Sequence, residues 1–216
     1  MGTHEPDRQQ TGAPLSAGRP IVAFDFDGTL TTHDSFTAFL RWKAKPLGYA
    51  LGLVTLLPHI VAYGVHRDRG RLKAAAAARF IGGMTEDQLS NMAEAFALQF
   101  APSMLRPDAV QAWRDWRAQG ALLVIVTASP ELTIAPFARA LGADRLIGTK
   151  LALDASGRIT GKLDGRNCRG PEKVARLKQV FGQDMELAAA YGDTSGDHEM
   201  IAIAGVKGYR LFKLKP

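Results

Sequence analysis

Apolar residues fall into two kinds of run along this 216-residue chain. Short unbroken blocks, IVAFDF at 21–26, ALLVIVT at 121–127 and LAAAY at 187–191, have the length of strands buried on both faces. A fourth block at 211–214 reads as another strand. Longer segments with helix-favouring composition, 71–80, 86–100, 108–119 and 172–181, predict helices, and Gly120 suits the C-terminus of the third. Strands alternating with helices predict an α/β fold: a Rossmann-like, mostly parallel sheet with helices on both faces. The polar, Gly- and Pro-containing residues 1–20 hold no apolar core for a signal peptide and read as a disordered tail.

Nearly a hundred residues separate the first strand from the second, far more than a direct crossover needs. The domain reading is therefore a core of 21–32 and 107–216 interrupted by a helical cap insertion at 33–106.

In a parallel sheet the ligand site lies beyond the carboxyl ends of the strands. Asp25 and Asp27 follow the first strand, Thr127 and Ser129 close the second, and Asp193 follows the third. Separate segments thus converge on one edge. Two carboxylates one residue apart repel each other and are costly to desolvate. A hard cation such as Mg²⁺ removes that repulsion and takes oxygen ligands, with Asp193 offering a further carboxylate and Asp197 lying four residues on. Lys173, at a helix start, adds a fixed positive charge, and Thr127 offers a hydroxyl donor for an oxyanion.

The segments DFDGT (25–29), VTASP (126–130), GPEKV (170–174) and GDTSGD (192–197) together resemble the four motifs of the haloacid dehalogenase superfamily, in order and over nearly the whole folded chain. The long insert resembles the helical C1 cap of subfamily IB, which includes phosphoserine phosphatases. That resemblance implies a phosphatase in which Asp25 attacks phosphorus and forms an aspartyl-phosphate. Asp27 protonates the leaving oxygen and then activates water. Mg²⁺ is held by Asp25, the Asp27 carbonyl and Asp193, while Thr127 and Lys173 bind phosphoryl oxygens. It also implies phosphoryl chemistry rather than dehalogenation, because haloacid dehalogenases proper lack the second aspartate that Asp27 provides.

Within the insert, residues 47–65, opening at Leu47 and closing at Val65, carry no formal charge if His59 is neutral. As one helix they measure about 28 Å, near the hydrocarbon thickness of a bilayer. Arg41, Lys43 and Lys45 precede them; Arg67, Arg69, Arg71 and Lys73 follow. A single crossing would separate Asp25 from Thr127, Lys173 and Asp193, so the span reads instead as a segment lying on one leaflet or buried in the cap. Pro58 predicts a break near Leu57 and hence two shorter helices. The order DSFTAFLRW, LVTLLPHIVAY, TASPE and NCRGPEKVARL is similar to the phosphatidylglycerophosphatase C enzymes of subfamily IB, which implies a lipid phosphate substrate. Two other readings stand beside it. One is a phosphoserine phosphatase-like enzyme, for which Asp34 and Arg41 offer polar cap groups. The other is a membrane-associated adaptor without turnover.

Charge narrows the partners. Lys and Arg total 27 against 21 acids, net +6, which favours an anionic partner. The basic residues gather around the apolar segment, and no nucleic-acid motif is present, so nucleic acid is set aside. A lone cysteine, Cys168, makes no internal disulfide and fits a reducing compartment. The expected location is cytoplasmic, peripheral on the inner face of a bacterial plasma membrane where the apolar segment meets lipid.

Overall fold

A computed structural model describes residues 18–216. In chain order it contains β1 (Ile21–Phe24), a wide turn at Phe26–Leu30, α1 (Ser35–His66), α2 (Arg69–Ile81), α3 (Glu86–Met104), α4 (Pro107–Ala118), β2 (Leu122–Pro130), α5 (Glu131–Ala140), β3 (Arg145–Leu153), β4 (Ile159–Asp164), α6 (Pro171–Phe181), β5 (Leu187–Gly192), a 3₁₀ turn at Ser195–Asp197, α7 (His198–Ala202) and β6 (Ala204–Tyr209).

The six strands form one sheet in the order β4-β3-β2-β1-β5-β6, parallel except at the β3–β4 pair. Successive strand residues face opposite sides. Val22 and Phe24 therefore enter one apolar cluster with Trp113 of α4 and Phe137 of α5. Ile21 and Ala23 enter a second with Leu177 and Phe181 of α6 and Met200 of α7. Both faces are covered, which is why β1, β2 and β5 read as nearly unbroken apolar runs.

Helices α1, α2 and α3 leave and rejoin the sheet domain through one narrow connection. Thr31 bridges Leu105, the Thr32 N–H donates to the Met104 carbonyl at 2.9 Å, and the Arg106 N–H donates to Leu30 at 2.8 Å. Aromatic contacts tie this module down: Phe96 of α3 meets Phe39 of α1 edge-on at 5.5 Å and Phe137 of α5 at 6.1 Å. Helix α2 is further fastened to β4, where the Gly83 N–H donates to the Ile159 carbonyl at 2.8 Å and the Ile159 N–H to Met84 at 2.9 Å.

Four expectations are corrected. Residues 211–214 do not form a strand; the last strand is β6, and the Leu211–Leu214 stretch instead turns away at Arg210. There the Lys213 and Leu214 N–H groups donate to Asp108 Oδ2 at the start of α4, and Phe212 packs on Phe24 and Tyr191. The first strand stops at Phe24, two residues early. Tail residues 1–17 lie outside the described residues, but Arg19 and Pro20 are anchored. Arg19 Nε donates to the Gly120 carbonyl at 2.8 Å, and the Pro20 carbonyl accepts from Leu122 at 2.8 Å.

The fourth correction concerns the apolar segment. The break in α1 falls at Lys45 (φ 58°, ψ 164°), not near Leu57, because the residue before Pro46 is pushed out of helical geometry. Pro58 sits inside an otherwise helical run, at an exposed position. One helical piece thus follows Lys45 to His66 rather than two. It is long and apolar enough to cross a membrane, yet only 11 % of its most apolar window is buried against the protein.

Candidate active site

The site begins where β1 ends. Its central place between β2 and β5 delivers Asp25 to the middle of the sheet's carboxyl edge, and the Asp25 N–H still donates to Tyr191 at 2.8 Å. The residue is 6 % exposed. Lys173, which α6 presents from its first turn, is 1 % exposed and spends all three protons: on Asp25 Oδ1 (2.6 Å), the Val126 carbonyl (2.6 Å) and Asp197 Oδ1 (2.7 Å). Burial pushes the Asp25 carboxyl up to about 7, against the pull of Lys173. For Lys173, burial works to lower the pKa, but Asp25 and Asp197 outweigh it and hold the ammonium above its ordinary range.

Asp27 points elsewhere. Its Oδ1 accepts from the Ser35 N–H (2.7 Å) and hydroxyl (2.5 Å), and its Oδ2 from the Ser129 hydroxyl (2.5 Å). Burial raises its pKa and nearby Asp34 adds to that, while the serine donors oppose it. The two aspartates, one residue apart in sequence, are therefore held by different partners. The turn at Phe26–Leu30 makes this possible: Gly28 adopts φ 84°, and a Cβ there would overlap the Asp193 carboxylate.

Asp193 follows β5, half-buried, with its pKa raised chiefly by burial and then by Asp197. Asp25, Asp193 and Asp197 offer oxygens within 4.8 Å of one another. Asp197 is already committed: Oδ1 accepts from Lys173, and Oδ2 from the Thr194 N–H (2.9 Å) and hydroxyl (3.0 Å). Although burial opposes it, Lys173 and these donors hold its pKa below the ordinary range. By contrast, among the described residues Asp25 Oδ2 meets only the Thr29 hydroxyl, at 3.4 Å. Asp25 and Asp193 are thus hard, under-used oxygen donors facing one another, a set that fits Mg²⁺. Asp27 has only its carbonyl to add, since its carboxylate is spent on the serines.

Of the five residues expected at the site, Asp25, Lys173 and Asp193 come together, and Asp27 stands beside them with its carboxylate turned to Ser35 and Ser129. Thr127 lies buried at the same strand end, and its Oγ1 accepts from the Ser129 N–H at 3.0 Å. It donates to no protein acceptor among the described residues, so its proton is free for a ligand. Asp34 and Arg41 are not gathered in: Asp34 caps α1 by accepting from the Thr37 N–H at 2.6 Å, and Arg41 is exposed.

Sequence reasoning missed three contributors. Ser35 lies ten residues past Asp25, inside the segment DSFTAFLRW, where nothing marks its hydroxyl as a partner of Asp27. Asp197 was seen as a neighbouring acid, not as the second anchor of Lys173. Lys73 of α2 reaches down from the inserted helices to the Ala128 carbonyl, and in the sequence it is one basic residue among several.

Three comparisons bear on this geometry. A protein-family model described as haloacid dehalogenase-like hydrolase matches residues 22–202. Protein CicA of Caulobacter vibrioides is 59 % identical over 212 residues, covering 94 % of this chain and 95 % of that one. Among solved structures, a protein of unknown function from Bordetella pertussis Tohama I aligns with a TM-score of 0.69 at 23 % identity, over 88 % of each chain. A substrate-bound phosphoserine phosphatase complex aligns at 0.59 and 15 % identity, over 88 % of this chain and 85 % of that one; both likenesses concern the fold. With four motif segments meeting on one sheet edge and the family model spanning them all, the chain belongs to the haloacid dehalogenase-like hydrolase family.

Proposed function

We propose that this hydrolase is a Mg²⁺-dependent phosphomonoesterase that works through a phosphorylated Asp25 on a lipid phosphate such as phosphatidylglycerophosphate. The observation that carries the chemistry is the division of labour between Asp25, bound to Lys173, and Asp27, bound to two serines. Lys173 fixes the Asp25 carboxylate and keeps its charge in a buried place, leaving the second oxygen to attack phosphorus. As the ester P–O bond breaks, Asp27 gives its proton to the leaving alcohol. It then takes a proton from the water that cleaves the acyl-phosphate bond, which restores the Asp25 carboxylate and the protonated Asp27 acid. The free Thr127 hydroxyl donates to a phosphoryl oxygen. Asp25, Asp193 and the Asp27 carbonyl would hold Mg²⁺, which when bound would neutralise charge on the carboxylates and the phosphoryl group.

The lipid part rests on α1. After Lys45 one stripe of this helix faces outward: Leu47, Leu51, Val54, Leu57, Val61 and Val65 are 73, 56, 62, 52, 67 and 73 % exposed. An apolar stripe of this length is uncommon on a soluble surface and suits a helix lying in the plane of a membrane. Arg67, Arg69, Arg71, Arg166 and Arg169 line a neighbouring cleft of about 800 Å³, against the acids Asp68 and Glu199. That charge favours anionic head groups on the cytoplasmic leaflet. A crossing is disfavoured, because Asp25 and Lys173 sit on opposite sides of α1 in sequence and 2.6 Å apart in space.

The phosphoserine phosphatase-like reading loses support from Asp34, whose carboxylate is engaged as a helix cap, and from Arg41, which stands exposed. The test is direct. With Mg²⁺, the protein should release phosphate from micellar phosphatidylglycerophosphate in preference to soluble phosphoserine, and Asp25→Asn should abolish both. A preference for phosphoserine overturns the lipid assignment; vesicle binding without turnover of any phosphomonoester points to an adaptor.

A further inference from the structure

The inward side of the same α1 segment bounds a trough of about 290 Å³ against α2, walled by Phe36, Leu40, Leu53, Leu56, Ile60 and Phe80. This is the size of a small ligand site, and its lining is mostly apolar, with Thr37, Tyr63, Arg69 and Lys73 as its polar members. It exists because Gly52 lets the Phe80 ring come against the α1 backbone, where any Cβ would overlap the ring, while Tyr49 stacks on Phe80 at 5.4 Å. The helices are thus held together at one level and left apart at the next.

Two residues of the trough wall lead toward the catalytic residues. Phe36 follows Ser35, whose hydroxyl lies 2.5 Å from Asp27. Lys73 lines the trough and bonds the Ala128 carbonyl, between Thr127 and Ser129. It makes no ion pair with a carboxylate among the described residues. Its ammonium is pulled below its ordinary range by burial and back by Asp27, Asp34 and Asp25, so it senses the acids of the site without being paired to one of them. At the outer end Arg69 Nε donates to the Tyr63 hydroxyl at 3.2 Å, and both residues face the basic cleft as well.

We infer that this trough holds one acyl chain of the phosphomonoester substrate, with Lys73 anchoring the anionic group where chain and head meet. The inference rests on the phosphatase reading above and deepens it: the outward stripe of α1 meets the bilayer while the inward side takes a single lipid tail. Charge complementarity selects the occupant. A mostly apolar slot with an unpaired cation at the end nearest the catalytic residues matches an anionic amphiphile and leaves the apolar walls unused by a purely polar substrate.

The experiment uses monoacylglycerol phosphates with chains of four, eight and twelve carbons, kept below micelle-forming concentrations, beside glycerol 3-phosphate. In the full chain with Mg²⁺, kcat/KM should rise with chain length, by up to about fourfold for each methylene buried, until the trough is full. Ala76→Phe, which fills the trough, should flatten that dependence. Ile60→Lys, at a half-exposed wall where folding is little disturbed, should do the same. Lys73→Met should lower kcat/KM about equally at every length. A flat dependence in the unaltered protein that still hydrolyses glycerol 3-phosphate overturns the trough and leaves the phosphatase standing. Absence of all turnover overturns the phosphatase reading; the affinity of Asp25→Asn protein for the same series, measured calorimetrically, then still decides about the trough, and equal affinities end it.

Discussion

Lys173 Nζ lies 2.6 Å from Asp25 Oδ1, and the two residues are 1 % and 6 % exposed. The pair joins residues 148 apart in sequence and closes the sheet's carboxyl edge. Because Lys173 also holds Asp197, one ammonium compensates two buried carboxylates. Removing it leaves both uncompensated. Lys173→Met should destabilise the fold by about 3–5 kcal/mol, seen as a lower urea midpoint, and should abolish turnover; an unchanged midpoint contradicts the buried-triad account.

The raised Asp25 pKa has a sign that can be checked. Its value is about 7 in the metal-free fold, against an ordinary 3.8. The folded chain therefore binds this proton more readily than the unfolded chain does. The group's contribution to stability falls as pH rises from about 4 to about 7 and is constant beyond. Mg²⁺ should reverse this by favouring the ionised form. Calorimetry in buffers of different ionisation enthalpy should show proton release on Mg²⁺ binding at pH 6 and little at pH 8.

Ser129 and Ser35 hold Asp27 from two sides. Asp27→Asn should lower kcat by about 10²–10⁴-fold. Ser129→Ala frees one carboxylate oxygen and should lower kcat by roughly tenfold with a smaller effect on KM, as expected of a positioning residue. Steady-state kinetics on a soluble aryl phosphate reads both.

Gly28 combines φ 84° with no room for a side chain beside Asp193. Gly28→Ala should cost about 1–3 kcal/mol and weaken Mg²⁺ binding, because the overlap displaces Asp193. A Mg²⁺ titration of activity and a thermal melt separate the two effects.

On α1, Leu51 and Val61 are more than half exposed. Leu51→Asp with Val61→Asp should leave the melting temperature unchanged while abolishing co-sedimentation with anionic vesicles. Retained sedimentation would move the membrane contact to another surface.

Much of this was legible along the chain, because the signals are local. Strand β1 announces itself through an apolar run ending in two acids, and helix α4 through its glycine stop at Gly120. Residues 211–214 misled because a short apolar run looks the same whether it pairs in a sheet or packs as coil; the bonds of Lys213 and Leu214 to Asp108 decide it. The break at Lys45 follows from the residue after it, Pro46, by the same local rule that Pro58 suggests for Leu57. Both prolines are exposed, and nothing along the chain marks which of the two ends the helical run.

From the sequence alone came the order of the strands' polar ends, the pairing of Asp25 with Asp27 and the charge-free run from Leu47 to Val65. These follow from side-chain chemistry and from periodicity, both properties of neighbouring residues. Tertiary structure alone decided that Asp197 shares Lys173 with Asp25, that Ser35 and Ser129 take up Asp27, and that Lys73 reaches the site from another helix. Such assignments depend on distances between segments remote in the chain, and only the packed core sets those distances.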